Sequence, residues 1–317
     1  MLKLNVFRPK SLDEFIGQER IKSSLRVFLE ATRLRNEPLD HILLSGPPGV
    51  GKTSLAVIIA NELNRNMKVT SGPAIERQGD LIAMLTNLSE GDILFIDEIH
   101  RLNRSIEEVL YAAMEDFAVD IIVGSGPAAR SIRLSLPRFT LIGATTREGL
   151  LSAPLRSRFG IFMKLDYYSL DELKEIVLKA SAQLGIDISV DSAIEIARRS
   201  RGTPRVAISL LRRVRDFAEV RGLKFIDLDS TIEAFKVLEI DEYGLDTVCR
   251  KLLRVLVEDY NGGPVGIDTL SISLGEDKRT IEEVYEPFLI REGFLKRTPK
   301  GRLATIKAFE YIRGLGS

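Results

Sequence analysis

One cysteine, Cys249, and two histidines are all that 317 residues offer to disulfide or soft-metal chemistry. A single thiol cannot form an intrachain disulfide, and with no Cys/His cluster a structural zinc site has no ligands. Cys249 therefore reads as a small core residue. No apolar run approaches the roughly 20 residues that a membrane span needs. The first residues also lack the charged-then-apolar plan of a secretory signal. A cytoplasmic location and no membrane partner are the expectations. Net charge is missing as well: Lys plus Arg and Asp plus Glu both number 45, so no global field attracts nucleic acid and any such surface must be local. No low-complexity tract and no repeat of roughly 20 to 50 residues is visible, which excludes a solenoid.

What is present is an ordinary globular composition, 44% hydrophobic and 28% charged, at a length that suits two or three domains. Two local patterns carry the chemistry. Gly46-Pro47-Pro48-Gly49-Val50-Gly51-Lys52-Thr53 is a Walker A loop. Its glycines let successive backbone N–H groups turn toward phosphate oxygens, Lys52 reaches the terminal phosphates, and the Thr53 hydroxyl ligates magnesium. The apolar His41 to Ser45 before it reads as a buried strand. Ser54 to Leu63 after it has apolar residues at helical spacing, so a helix N-terminus adds its attraction for phosphate. The second pattern is the run Ile93-Leu94-Phe95-Ile96, which ends in Asp97-Glu98. A continuous apolar run is what a strand covered on both faces looks like, and carboxylates belong at its C-terminal edge. Asp97 is expected to hold magnesium and Glu98 to orient and activate water, because phosphoryl transfer needs positioning more than covalent help.

From about Leu39 to Leu165 short apolar strands alternate with helical patterns: His41 to Ser45, Met67 to Thr70, Ile93 to Asp97, Phe139 to Thr145 and Ile161 to Leu165. The alternation predicts an α/β domain built on a parallel sheet. An insertion from Val119 to Pro137, alternating on either side of Gly124-Ser125-Gly126-Pro127, predicts a β-hairpin. Ser169 to about Ile240 reads as a separate, all-helical module. The remainder predicts helices through Leu252 to Val257, Ile267 to Leu274 and Thr280 to Phe288. A basic turn, Lys296 to Arg302, follows; this is the plan of a winged helix. The expected partition is 1–167, 168–240 and 241–317.

Five further groups invite a functional reading, most of them beside a plain one. Thr146, at the end of the fourth strand, could sense the γ-phosphate or the attacking water, although a β-branched pair is also ordinary strand chemistry. Arg158, before the fifth strand, could reach a neighbouring subunit's phosphates as a charge-stabilising finger, or be a surface arginine. Arg205 follows Pro204 at the start of a helix and could lean over the nucleotide. The run Arg198, Arg199, Arg201, Arg212, Arg213 and Arg215 reads first as a solvated helix face. Arg297 and Arg302 sit where a wing would reach phosphates, with a solubilising hairpin as the alternative.

Taken together these segments resemble one family, the RuvB Holliday junction branch-migration motors within the AAA+ ATPases. The resemblance covers nearly the whole chain. It rests on the Walker motifs and on Arg8-Pro9-Lys10-Ser11-Leu12-Asp13-Glu14-Phe15-Ile16-Gly17-Gln18, Asp97-Glu98-Ile99-His100-Arg101-Leu102-Asn103, Gly143-Ala144-Thr145-Thr146-Arg147, Leu155-Arg156-Ser157-Arg158-Phe159-Gly160, Gly262-Gly263-Pro264-Val265-Gly266 and Val284-Tyr285-Glu286-Pro287-Phe288-Leu289. It implies an AAA+ domain, a helical lid and a winged helix. It further implies a homohexameric ring around double-stranded DNA, ATP or ADP with Mg2+ between subunits, and RuvA and RuvC as partners, RuvA docking on the hairpin 119–137. By the same resemblance Phe7 and Arg8 line the adenine pocket, and Gly49, Gly51, Lys52, Thr53 and Ser54 hold phosphates. Thr146 and Arg205 become the two sensors and Arg158 the finger in trans. Glu115, Asp116, Phe117 and Tyr168 lie near nucleotide, and Arg297 and Arg302 contact DNA. The sequence departs from the family at Cys249, where an acidic residue is expected. An ATP-switched clamp-loader-like or initiator-like protein is the alternative. A protein unfoldase is disfavoured because Ser71-Gly72-Pro73-Ala74-Ile75 carries no aromatic pore residue.

Overall fold

The computed structural model describes residues 7–123 and 130–315. The chain divides into two compact units, residues 1–183 with 203–206, and residues 184–202 with 207–317.

The first unit runs α1 (Glu19–Arg35), β1 (Ile42–Ser45), α2 (Lys52–Glu62), β2 (Met67–Ser71), α3 (Gln78–Thr86), β3 (Ile93–Asp97), α4 (Arg104–Asp116), β4 (Ala118–Val123), β5 (Arg130–Ser135), β6 (Thr140–Thr145), α5 (Ala153–Arg156), β7 (Ile161–Lys164) and α6 (Leu170–Leu184). Five strands form one parallel sheet in the order β2-β3-β6-β1-β7. The apolar runs foretold the parallel sheet, though not the order of its strands: β1 and β6 are buried along their whole length and β3 is buried up to Asp97, whereas the edge strand β7 alternates buried and exposed. One face of the sheet is covered by α3 and α4. Leu81 and Leu85, four residues apart, and Ile106, Leu110 and Ala113 pack there on Leu94, Ile96 and Leu141. Each fully buried aliphatic side chain contributes on the order of 1.5–3 kcal/mol.

Register matters more for function than the core does. Ser45 pairs with Thr145 across β1 and β6, and Ile96 with Gly143 across β3 and β6. The residues that follow all three strands therefore emerge at the same C-terminal edge. The expected hairpin exists as the antiparallel pair β4–β5, from Ala118 opposite Ser135 to Val123 opposite Arg130. Its expected turn, Gly124 to Pro127, lies outside the described residues.

In the second unit β8 (Asp187–Ile188), α7 (Val190–Arg199), α8 (Pro204–Val220, whose first turn belongs to the first unit), β9 (Phe225–Ile226) and α9 (Leu228–Val237) come first. The expectation of an all-helical module is corrected here, since β8 and β9 pair in parallel. Two residues are too few to print an alternating pattern in a sequence. After them come α10 (Thr247–Arg254), continued as a π turn over Val255–Asp259, α11 (Ile267–Leu274), α12 (Lys278–Thr280), a π turn over Ile281–Tyr285, α13 (Glu286–Arg291), the antiparallel strands β10 (Leu295–Thr298) and β11 (Gly301–Ala304), and α14 (Ile306–Leu315). Three helical segments followed by a hairpin match the winged-helix plan; α14 was not foreseen. Cys249 sits fully buried in the core of this part beside Leu252, Leu270 and Phe288. Burial pushes its thiol up to about 12, so it behaves as the small apolar residue expected.

The basic run also needs correction. Arg198 and Arg213 are exposed, but Arg199 is buried, binding Glu195 at 2.6 Å and lying 4.4 Å over the Phe235 ring. Arg201 binds Asp246 at 2.7 Å and stacks on Phe288. Burial alone would raise the Asp246 carboxyl, yet the Arg201 charge and the Cys249 N–H bring it below the ordinary carboxylate range. Part of this run therefore braces the second unit instead of facing water.

Candidate active site

The Walker loop joins β1 to α2 in a shape that only its glycines permit. Gly46 has φ +141°, and a Cβ there would come 2.3 Å from the Leu165 carbonyl oxygen. Gly49 has φ +84°, with its Cβ position 3.0 Å from Arg205 Cβ. Side chains at either place would be strained and would press on these neighbours, pushing the loop out of the conformation in which its backbone N–H groups can face an anion. Around the loop, the Tyr168 hydroxyl donates to the Val50 carbonyl at 3.0 Å, and the Arg205 N–H donates to the Gly49 carbonyl at 3.4 Å. Burial raises the Tyr168 phenol, which keeps it a donor. Phe15, absent from the expected site residues, lies 3.3 Å from the Cβ position of Gly51.

Lys52 opens α2 together with Thr53 and Ser54. Its ammonium donates to the carbonyl oxygens of Gly46 at 2.7 Å and Pro47 at 2.9 Å. Burial lowers its pKa to about 8, against the opposing pull of Glu98 and Asp97, and the Arg205 charge lowers it further. Asp97, which ends β3, is shifted upward, first by burial and also by the Glu98 charge. Both groups are held in the less favoured direction for their charged forms, which a bound triphosphate and cation would reverse.

Glu98 occupies a left-handed backbone conformation, φ 48° and ψ 46°. Such strain in a non-glycine residue persists where the surroundings fix it. Thr146 Oγ1 donates to Glu98 Oε2 at 3.0 Å, so the expected sensor and the expected activator touch. His100 stands in the sequence only as part of the Asp97–Asn103 motif, but its buried ring sets Nδ1 3.2 Å from Glu98 Oε2 and 2.9 Å from Thr145 Oγ1. The donor set suits magnesium: a hydroxyl, Thr53, and a carboxylate, Asp97, are hard oxygens. Among the described residues no cluster of three His, Cys, Asp or Glu offers a complete protein cage. A cation that keeps waters and takes phosphate oxygens fits that pattern.

Other expected residues lie elsewhere. The N–H groups of Gly160 and Ile161 both donate to the His41 carbonyl at 3.1 Å, and Phe117 packs on His41 and Phe139. Arg158, Glu115, Asp116 and Phe117 thus gather where β1 and β6 begin, the edge opposite the loop. Arg158 binds Glu115 at 2.9 Å, and Asp116 binds Arg133 at 2.7 Å. With about 3.3 Å per strand residue, the four residues of β1 put roughly 13 Å between that edge and the molecule's own Walker loop. Phe7 is half-buried and Arg8 exposed at the start of the described chain.

In the second unit the wing differs from its linear sequence. Lys296, Arg297 and Lys300 are exposed, and a groove of about 560 Å³ lies between the hairpin and the start of α11, lined by Gly266, Asp268, Arg297 and Lys300 among others. Arg302, expected to face outward, is buried. It binds Glu286 at 2.6 Å and Glu282 at 3.0 Å, and Glu282 also meets Arg297 at 3.0 Å. No acid stands in the basic run itself; the fold brings two from 16 and 20 residues away.

Three family models match successive parts of the chain: the Holliday junction DNA helicase RuvB P-loop domain over residues 7–165, the RuvB AAA lid domain over 168–241 and the RuvB C-terminal winged helix domain over 242–313. The RuvB subunit of the Holliday junction branch migration complex of Fervidobacterium nodosum is 58% identical over 305 residues, spanning 96% of this chain and 88% of that protein. Among solved structures, the RuvB Holliday junction branch migration motor of Thermotoga maritima is 52% identical and superposes with a TM-score of 0.88 over 97% of this chain and 98% of that one. A point mutant of the same protein, also 52% identical with the same coverage, gives 0.90.

Proposed function

Because the chain belongs to the RuvB family, we propose that it is an ATP-hydrolysing motor that drives branch migration of Holliday junctions in recombination and repair. It works in the cytoplasm as a homohexameric ring on double-stranded DNA, beside RuvA, which docks on the hairpin 119–137, and RuvC. The working parts are an ATPase module (1–167), a lid (168–240) and a winged helix (241–317). No described helix is long and apolar enough to cross a membrane.

The observation that carries the reading is the split of the site. Lys52, Asp97, Glu98 and Thr146 stand at one edge of the sheet and Arg158 at the other, so a full catalytic set needs a second copy of the chain. In the nucleotide complex, N–H groups of Gly49 to Ser54 cradle the phosphates. Lys52 exchanges two loop carbonyls for phosphate oxygens, and Phe7, Arg8 and Tyr168 border the adenine end. Thr53 and Asp97 would hold Mg2+, which would supply positive charge against the charge of the phosphates. Glu98, kept in place by Thr146 and His100, orients the attacking water and takes its proton. A neighbour's Arg158 stabilises the charge that develops, with its Glu115, Asp116 and Phe117 close to the same phosphates. Arg205, whose charge is felt by both Lys52 and Asp97, reports the change to the helix that it begins. Arg297, with Lys296 and Lys300, meets DNA phosphates; the buried Arg302 braces the wing that carries them.

The test is strand exchange itself. Purified protein with RuvA, ATP and a four-way junction is expected to convert the junction to duplex products, and ADP is expected to give none. A protein that binds junctions and ATP but moves no branch point would instead fit the ATP-switched loader reading.

A further inference from the structure

Residues 107, 111 and 115 lie four apart along α4, which puts them in one stripe on the helix surface, and all three are tied to the finger. Arg158 lies with its guanidinium carbon 4.6 Å from the centre of the Tyr111 ring. Its two terminal nitrogens donate to the Pro154 carbonyl at 2.7 Å and to Glu115 at 2.9 Å. Its Nε is buried without a hydrogen-bond partner among the described residues. The ring face, not a further polar group, therefore backs the guanidinium. The ring is itself fixed: the Tyr111 hydroxyl donates to Glu107 Oε2 at 2.7 Å and lies 2.9 Å from Ser152 Oγ, which donates to the same carboxylate oxygen at 2.6 Å. Ser152 also accepts from the Leu155 N–H and so caps α5, the short helix that leads into Arg158. Glu107 is buried. One contact of the guanidinium is exchangeable, the exposed Glu115 carboxylate; the aromatic face is not.

We propose that Tyr111 is the positioning residue of the arginine finger: its ring seats the Arg158 guanidinium and its hydroxyl, through Glu107 and Ser152, locks that seat to α5. A planar cation lying on an aromatic face keeps its orientation while it trades a carboxylate for a phosphate. Tyr111 touches no nucleotide itself and acts only through Arg158. The inference rests on the reading that Arg158 works in trans.

The experiment measures steady-state ATP hydrolysis of the full-length chain on duplex DNA for Tyr111→Ala, Tyr111→Leu, Tyr111→Phe and Arg158→Ala, each alone and mixed with Glu98→Gln subunits. Alanine and leucine, which remove the aromatic face, are expected to lower kcat at least about tenfold with KM changed by less than about twofold. Phenylalanine keeps the face and is expected to stay within about threefold of the parent. Glu98→Gln subunits cannot hydrolyse but offer an intact finger, so mixing is expected to restore turnover to the alanine and arginine-deleted subunits alike. A defect of folding or of the variant's own site would not be repaired by a neighbour. Rescue of Arg158→Ala without rescue of Tyr111→Ala, or full kcat in Tyr111→Leu, overturns this inference alone. Absence of rescue for Arg158→Ala removes the trans reading and this inference with it.

Discussion

Lys52 carries a pH signature that follows from its surroundings. In the free protein it loses its proton at about 8 because it is buried; a bound triphosphate supplies negative charge that raises this value. The sign is then set. Well below pH 8 the lysine is charged in both states and contributes no pH dependence. Above it the free protein must take up a proton on binding, so affinity for ATP falls, by at most tenfold per pH unit. Calorimetry at about pH 9 in buffers of different ionisation heat is expected to show net proton uptake that Lys52→Met abolishes. For the acid pair, Glu98→Gln is expected to retain ATP affinity and to lower kcat by roughly 10²–10⁴-fold, measured by nucleotide titration and turnover; normal turnover would remove Glu98 from its role. These residues were legible in the sequence because each motif is contiguous and one chemistry explains its spacing. His100 was legible only as a letter in a motif: its contact with Thr145 spans 45 residues, and no local pattern announces a hydrogen bond of that range.

At the level of elements, apolar runs of four to seven residues identified all five strands of the sheet to within a residue or two; for β1, β3 and β6 burial on both faces leaves an uninterrupted signal, whereas the edge strands β2 and β7 are only partly buried. Their order did not follow from the runs. That β6 separates β1 from β3 is a fact of pairing, and it lets Thr145 and Thr146 stand between the phosphate loop and the carboxylates. The β8–β9 pair and α14 escaped for different reasons, the first by being too short and the second because it follows the basic turn that had marked the expected end of the wing. Gly46 shows how tightly the loop is fitted to β7. Gly46→Ala would hold alanine at a φ it rarely adopts and press its Cβ on a backbone oxygen. A loss of at least about 2 kcal/mol is expected, measurable as a lowered denaturation midpoint with no bound nucleotide present.

At the scale of the whole molecule, charge that balances overall is distributed unevenly. Sequence counting placed four cations on the wing with no acid among them; folding brings Glu282 and Glu286 against two of them. Arg297→Ala is therefore expected to lower the salt dependence of duplex binding by about one unit of slope. Arg302→Ala is expected to leave the buried Glu286 with only its 3.7 Å ion pair to Arg297, at a cost of at most about 3–5 kcal/mol in stability. A salt slope unchanged in the first variant, measured by DNA titration across ionic strengths, would make the exposed cations solubilising only.

The 13 residues of α4 make a rod about 20 Å long. It starts just past the turn that holds Glu98 and His100, and its last turn carries Glu115, which binds Arg158. A stiff helix cannot shift at one end and stay still at the other. On the proposed reading, whatever the release of phosphate does to Glu98 would pass along this helix, through Tyr111, to an arginine that completes a neighbouring copy's site. If the copies close into the proposed ring, that rod would tie each site to the one beside it with no component beyond the chain itself.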